Sequence, residues 1–287
     1  MIKQYIQQSS VKLGMIISML FLVLSLHGKE IKVLAIGNSF SDDALEHYLY
    51  QIGAANGDTI IIGNLAIGGA SLELHYNHSL NNAPAYSYRK IVDGTRTITG
   101  NATLEQGLKD EEWDFISLQQ VSQNSGLYDT FFPYLPRLIN YINKNVQNTD
   151  FQLVLHMTWA YAADSSHPGF SNYERDQETM YNAIVENVNR VASEMEIPVI
   201  VPAGTAIQNA RTSKLGDTLT SDGFHLEGTY GKYTASCAWY ETLTGKCVVG
   251  TPYKPDGISD VEAFIAQASA HFAVINPNKV TNIITCE

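Results

Sequence analysis

The chain has 287 residues, 45% of them hydrophobic, 16% charged and 10% aromatic, with three cysteines. That composition excludes a disordered chain, a collagen-like chain and a disulfide-stapled miniprotein, and it supplies enough apolar surface for a real core. Lys and Arg number 18 against 29 Asp and Glu, a net charge of −11 with no basic cluster; this argues against a nucleic-acid partner and against docking on an anionic membrane surface.

The first segment differs from the rest. Lys3 and Lys12 precede an apolar run from Met15 to Leu24, followed by Ser25, Gly28 and the polar pair Lys29-Glu30. A basic start, a short apolar stretch and a small residue before a polar one predict a secretory signal peptide over 1–28, cleaved after Gly28. The run falls short of the roughly 18–20 apolar residues a membrane span needs. The expected location is therefore periplasmic or secreted, with no membrane span after cleavage and a single domain over 29–287. In an oxidising compartment the three cysteines gain meaning: their odd number allows at most one internal pair, and Cys237 with Cys247 is the candidate bridge. Two small buried hydrophobes are the alternative. No Cys/His spacing indicates a zinc site.

Apolar β-rich runs then alternate with helical patterns. Strands are expected at Ile31–Ile36, Thr59–Ile67, Trp113–Leu118, Phe151–His156 and Ile197–Val201, and helices at Asp43–Ala55, Asn172–Glu196 and Gly228–Thr242, the last closing the fold. Tyr86–Thr99 alternates around Asp93-Gly94 and is expected to be an inserted hairpin. Continuous apolar strands separated by helices imply an α/β fold: a three-layer, doubly wound sandwich around a mostly parallel five-stranded sheet of flavodoxin-like type. Ligands of such sheets bind outside the carboxyl ends of the strands.

Three polar segments fall at those ends. Gly37-Asn38-Ser39-Phe40-Ser41-Asp42 follows the first strand; Ser39 or Ser41 there is either a helix cap or a reactive hydroxyl at the crevice. Gly68-Gly69-Ala70-Ser71 follows the second and lets a backbone N–H approach a ligand. Asp222-Gly223-Phe224-His225 precedes the last helix. Asp and His three residues apart in a turn can pair carboxylate to imidazole, which holds the tautomer a general base beside a serine requires. Each segment alone has a structural explanation; their co-occurrence at crevice positions favours chemistry. A Rossmann dinucleotide fingerprint is missing from the first turn. The Gly-x-Ser-x-Gly elbow is missing too, since Ser41 stands where its second glycine would be.

Together these blocks resemble the SGNH (GDSL-type) hydrolases, from about Ile31 to about Thr244 and in the same order. The resemblance implies Ser39 as nucleophile, Gly69 as an oxyanion N–H donor beside that of Ser39, and Asp222 and His225 as the remaining triad members. It also implies a serine esterase that needs no metal and no organic cofactor. One block departs. In place of the family's Gly-x-Asn-Asp the third strand runs into Leu118-Gln119-Gln120-Val121-Ser122-Gln123-Asn124. The missing side-chain donor is expected to be Gln120, then Gln119, then Asn124, because one of two successive side chains ending a central strand should face Ser39. Trp159 and Tyr161, in the aromatic loop with His167, and His75 after the glycine turn are candidate substrate-lining residues. The expected substrate is a small-molecule or carbohydrate ester, an O-acetyl group on a sugar. A non-catalytic carbohydrate-binding protein on the same fold is the alternative, and a metal-dependent phosphoesterase using the histidines is the third reading.

Overall fold

The computed structural model describes residues 28–284. The expected signal peptide, apart from Gly28, lies outside the described residues, as does Cys286. Among the described residues no helix is long and apolar enough to cross a membrane.

A seven-stranded sheet has the order β4-β3-β2-β1-β5-β6-β7. Its parallel part comprises β1 (Glu30–Gly37), β2 (Thr59–Ala66), β5 (Phe115–Leu118), β6 (Gln152–His156) and β7 (Val199–Val201). These are the five expected strands: β1 is one residue longer at each end than expected, and the other four are trimmed. The difference is at the edge. β3 (Tyr86–Val92) and β4 (Thr95–Ala102) form the hairpin and pair antiparallel onto β2, so they extend the sheet instead of standing apart from it. Asp93 and Gly94 both have positive φ (50° and 72°), which matches the twist a two-residue hairpin turn needs.

β1 lies at the centre because both its faces are covered: Val33, Leu34 and Ile36 are fully buried. The helices separate into two groups. α1 (Ser39–Leu45), α2 (Leu49–Ala55), α7 (Ala203–Arg211), α8 (Tyr230–Thr244) and α9 (Asp260–Ile275) pack together, whereas α3 (Leu72–Leu80), α4 (Leu104–Leu108) and α5 (Tyr134–Asn145) pack on one another, and α6 (Gln177–Glu194) touches α7 and the 3₁₀ turn Tyr128–Phe131 that α3 and α5 also contact. Right-handed crossovers to the left and to the right of β1 place these groups on opposite faces, giving the α/β three-layer architecture.

Three expected helices change. The one over Asp43–Ala55 begins earlier and breaks in two, because Tyr48 leaves helical backbone (φ −130°, ψ −12°) and its hydroxyl bonds Gly228 O at 2.7 Å. The one over Asn172–Glu196 starts at Gln177, capped by Asp176, after Glu174 and Arg175 take left-handed conformations. The helix expected to close the fold is followed by α9, which packs on it and on α7.

Candidate active site

β1 delivers the chain to the carboxyl edge at Gly37. A Cβ there would lie 2.7 Å from Ser41 Oγ and 3.0 Å from Gln119 Oε1, so any side chain would push these two buried groups aside. The helix cap is neither serine but Asn38: its Oδ1 accepts from Phe40 N at 3.0 Å. Ser39 is therefore the first helical residue, and its hydroxyl is free for another partner.

That partner comes from the far end of the chain. Ser39 Oγ lies 2.8 Å from His225 Nε2, and His225 Nδ1 lies 2.6 Å from Asp222 Oδ2. A carboxylate only accepts, so Nδ1 carries the proton and Nε2 presents its lone pair to the serine hydroxyl. Asp222 Oδ1 accepts from the N–H groups of Phe224 (3.1 Å) and His225 (2.7 Å). Burial pushes the Asp222 carboxyl up, but the imidazole and the two N–H donors outweigh it and hold the group below its ordinary range. The turn is fastened on both sides. Leu226 N donates to buried Asp43 Oδ2 at 2.8 Å, and Trp159 Nε1 donates to Phe224 O at 2.7 Å while its ring stacks on Phe40.

These groups open on a cleft of about 370 Å³ whose wall includes Ser39, Gly68, Gly69, Gln123, His167 and Phe224. Gly69 adopts φ +66°, which a side chain would strain. The glycine turn is tied to the serine turn by Asn38, whose Nδ2 donates to Ala70 O at 3.0 Å.

The departing block behaves differently from expectation. Gln120 Oε1 accepts from Leu72 N (3.1 Å) and Val121 N (2.9 Å), and its amide nitrogen donates to Thr130 O (2.8 Å). It knits loops together away from Ser39. Gln119 is buried and also committed: Nε2 donates to Asn38 Oδ1 at 2.8 Å, and Oε1 accepts from His156 Nδ1 at 2.9 Å. Burial pushes His156 down to about 3, so it is neutral and serves as that donor. Neither glutamine lines the cleft, and neither does Asn124. The residue that does is Gln123, whose Nε2 makes no hydrogen bond among the described residues. Pleat alternation stops at the strand end. The short 3₁₀ turn Ser122–Asn124 then presents Gln123, which alternation alone does not indicate.

The candidate lining residues are corrected too. Trp159, Tyr161 and His75 are all 0% exposed, so none can stack on a sugar. Trp159 lies beneath Phe40, Tyr161 OH bonds Ser122 Oγ at 2.7 Å, and His75 Nδ1 bonds Tyr86 OH at 3.1 Å. The aromatic wall is made by His167 and Phe224, edge to face at 4.9 Å. Cys237 is buried and Cys247 exposed, and both are free thiols; the candidate bridge is not formed.

Fold and site together define a doubly wound α/β domain with a Ser–His–Asp hydrogen-bond chain at the carboxyl edge of its central strand. Residues 32–273 match the family described as "Domain of unknown function (DUF4886)", and the chain belongs to that family. It is similar to a DUF4886 family protein from Bacteroides uniformis, with 50% identity over 89% of this chain and 98% of that one and a TM-score of 0.87. More distant likenesses include Axe2, an acetylxylan esterase from Geobacillus stearothermophilus (14% identity, 76% and 96% coverage, TM-score 0.46). Another is LAE5, an alpha/beta hydrolase enzyme from the metagenome of Lake Arreo, Spain (12%, 76% and 98%, TM-score 0.44). No curated protein matches the chain.

Proposed function

We propose that this protein is an exported serine esterase that hydrolyses an O-acetyl ester of a carbohydrate. The observation that carries the esterase reading is the unbroken chain Ser39 Oγ–His225 Nε2 (2.8 Å) and His225 Nδ1–Asp222 Oδ2 (2.6 Å), opening on the cleft at Gly69. His225 Nε2 takes the Ser39 proton as Oγ attacks the acyl carbonyl, and Asp222 stabilises the imidazolium that forms. The N–H groups of Ser39 and Gly69 and the amide of Gln123 hold the oxyanion. His225 then protonates the leaving alcohol oxygen as the ester C–O bond breaks. Water, deprotonated by His225, attacks the acyl-enzyme and releases the acid and free Ser39. Every step uses groups of this chain and water. The acyl group as acetyl, the sugar alcohol and export rest on the SGNH resemblance and on the signal-like segment.

Hydrolysis of p-nitrophenyl acetate by the protein and by Ser39→Ala tests the reading, together with labelling of Ser39 by a fluorophosphonate. Activity and labelling that both vanish in the variant are expected. A wild-type protein that neither hydrolyses nor labels overturns it and leaves the carbohydrate-binding alternative.

A further inference from the structure

Away from the cleft, three side chains of different chemistry converge. Glu241 belongs to α8, Cys247 to the loop that follows, and His271 to α9. One ligand atom from each lies within 4.8 Å of the other two. His271 Nδ1 is 2.7 Å from Glu241 Oε1 and 3.5 Å from Cys247 Sγ. We propose that Glu241, Cys247 and His271 form a binding site for a thiophilic divalent cation, zinc by preference, that joins α9 to the rest of the domain.

Ligand geometry supports this assignment. Zinc bonds of about 2.3 Å to sulfur and 2.0–2.1 Å to nitrogen at a tetrahedral angle separate the two atoms by about 3.5 Å, and the Sγ–Nδ1 distance is 3.5 Å. Nδ1 and Oε1 would open from 2.7 Å to about 3.3 Å around the same ion. The Glu241 side chain is only 7% exposed, and among the described residues His271 is the only basic side chain within ion-pair distance of it. The neighbouring Lys246 is taken by Asp58, at 2.6 and 2.8 Å. The other carboxylate oxygen is fixed by Val248 N at 2.9 Å, the kind of outer contact that aims a metal ligand. A single imidazole nitrogen meets both a carboxylate and a sulfur, and a cation at their common centre satisfies all three. The soft thiolate selects zinc over calcium or magnesium. Binding releases the Cys247 proton to solvent, moves the His271 proton from Nδ1, where it faces Glu241, to Nε2, and leaves one position for water.

The test uses the exported chain, stripped with chelator under reducing conditions. Cobalt should add a near-ultraviolet thiolate charge-transfer band and the visible bands of a tetrahedral ion at one equivalent. Zinc should remove them and, at about a hundredfold excess over its dissociation constant, raise the Tm by about 5 °C or more. Cys247→Ser should lose the charge-transfer band, His271→Ala should bind cobalt at least tenfold more weakly, and Cys286→Ser should keep both signals; circular dichroism checks the fold of each. The proposal is overturned if cobalt gives no thiolate band, if zinc shifts the Tm equally in Cys247→Ser, or if Cys286→Ser loses the band. None of these signals depends on hydrolysis.

Discussion

Asn38 Nδ2 donates to Ala70 O at 3.0 Å, and the same side chain's Oδ1 accepts from Phe40 N and from Gln119 Nε2. One buried carboxamide thus caps the helix carrying Ser39, fixes the glycine turn, and receives the strand-end glutamine. Both backbone donors proposed for the oxyanion take their mutual position from it.

Asn38→Ala should therefore lower kcat by about 10- to 100-fold with little change in KM, since positioning errors near 1 Å cost that much in the transition state. It should also lose about 1–3 kcal/mol of stability, through the lost cap and the buried Gln119 donor left unpaired. Asn38→Asp keeps the cap and the bond from Gln119 but not the donation to Ala70. Its Tm should recover more fully than its kcat. Recovery of both, measured by calorimetry and steady-state kinetics, would show that the Ala70 tie is dispensable.

The two glutamines separate function from structure. Gln123→Ala should cut kcat by roughly 100- to 1000-fold at nearly constant Tm, the usual effect of removing one oxyanion donor. Gln120→Ala should do the opposite. It leaves the Leu72 and Val121 N–H groups without their acceptor, at about 1–3 kcal/mol each, so denaturant midpoints should fall while kcat per folded molecule changes little. A kinetic defect confined to Gln120→Ala would reverse the assignment.

Ser39→Ala and His225→Ala should each abolish nearly all ester hydrolysis, and the double variant should be little worse than either, because triad members act as a unit. Asp222→Asn should fold normally and lose several orders of magnitude in kcat, since Asn cannot stabilise the imidazolium. Multiplicative losses in the Ser39/His225 pair would contradict a shared step.

Acid stability follows from the buried imidazoles. Burial pushes His75 and His156 each down to about 3, below the ordinary value near 6.5. The unfolded chain binds protons first as the pH falls, so stability is complete above about pH 6.5. It should decline by about 1.4 kcal/mol per pH unit per histidine until the folded pKa is reached. Asp222, held below its ordinary value, adds a further loss as the pH falls through that ordinary value toward the folded one; Asp43 and Glu46, held above theirs by burial, offset part of the slope between their raised values and the ordinary ones. Unfolding midpoints from pH 7 to pH 4 should show this slope, and His75→Phe should reduce it. An unchanged slope would mean that His75 is not neutral and buried as described.

Much of the fold was legible because parallel strands buried on both faces read as unbroken apolar runs, and Asp93-Gly94 announces its turn by backbone chemistry alone. The helices α3, α4, α5, α7 and α9 were not anticipated. α3, α4 and α7 are short, so their helicity comes from packing; α9 is alanine-rich and opened by a Ser259/Glu262 capping box but lacks a clear apolar stripe, and α5 carries a stripe in Leu135, Leu138 and Ile142 that went unread. Of the site, Ser39, Gly69, Asp222 and His225 stood out as polar residues at strand ends. Asn38 was visible in the first block only as part of a turn, and Gln123 only as one amide among four.

By itself the sequence determined the layered α/β class and which segments meet at the carboxyl edge, because pleat alternation, apolar runs and turn dipeptides are properties of neighbouring residues. Tertiary structure alone decided where each polar side chain points. Gln119 and Gln120 turn inward to satisfy buried N–H groups and Asn38, Trp159 and Tyr161 fill the core beneath the cleft, and Cys247 meets His271 across two helices instead of Cys237. Each of those choices is settled by hydrogen-bond partners and free volume contributed by residues distant in the chain, and a burial cost of a few kcal/mol per unpaired group enforces it.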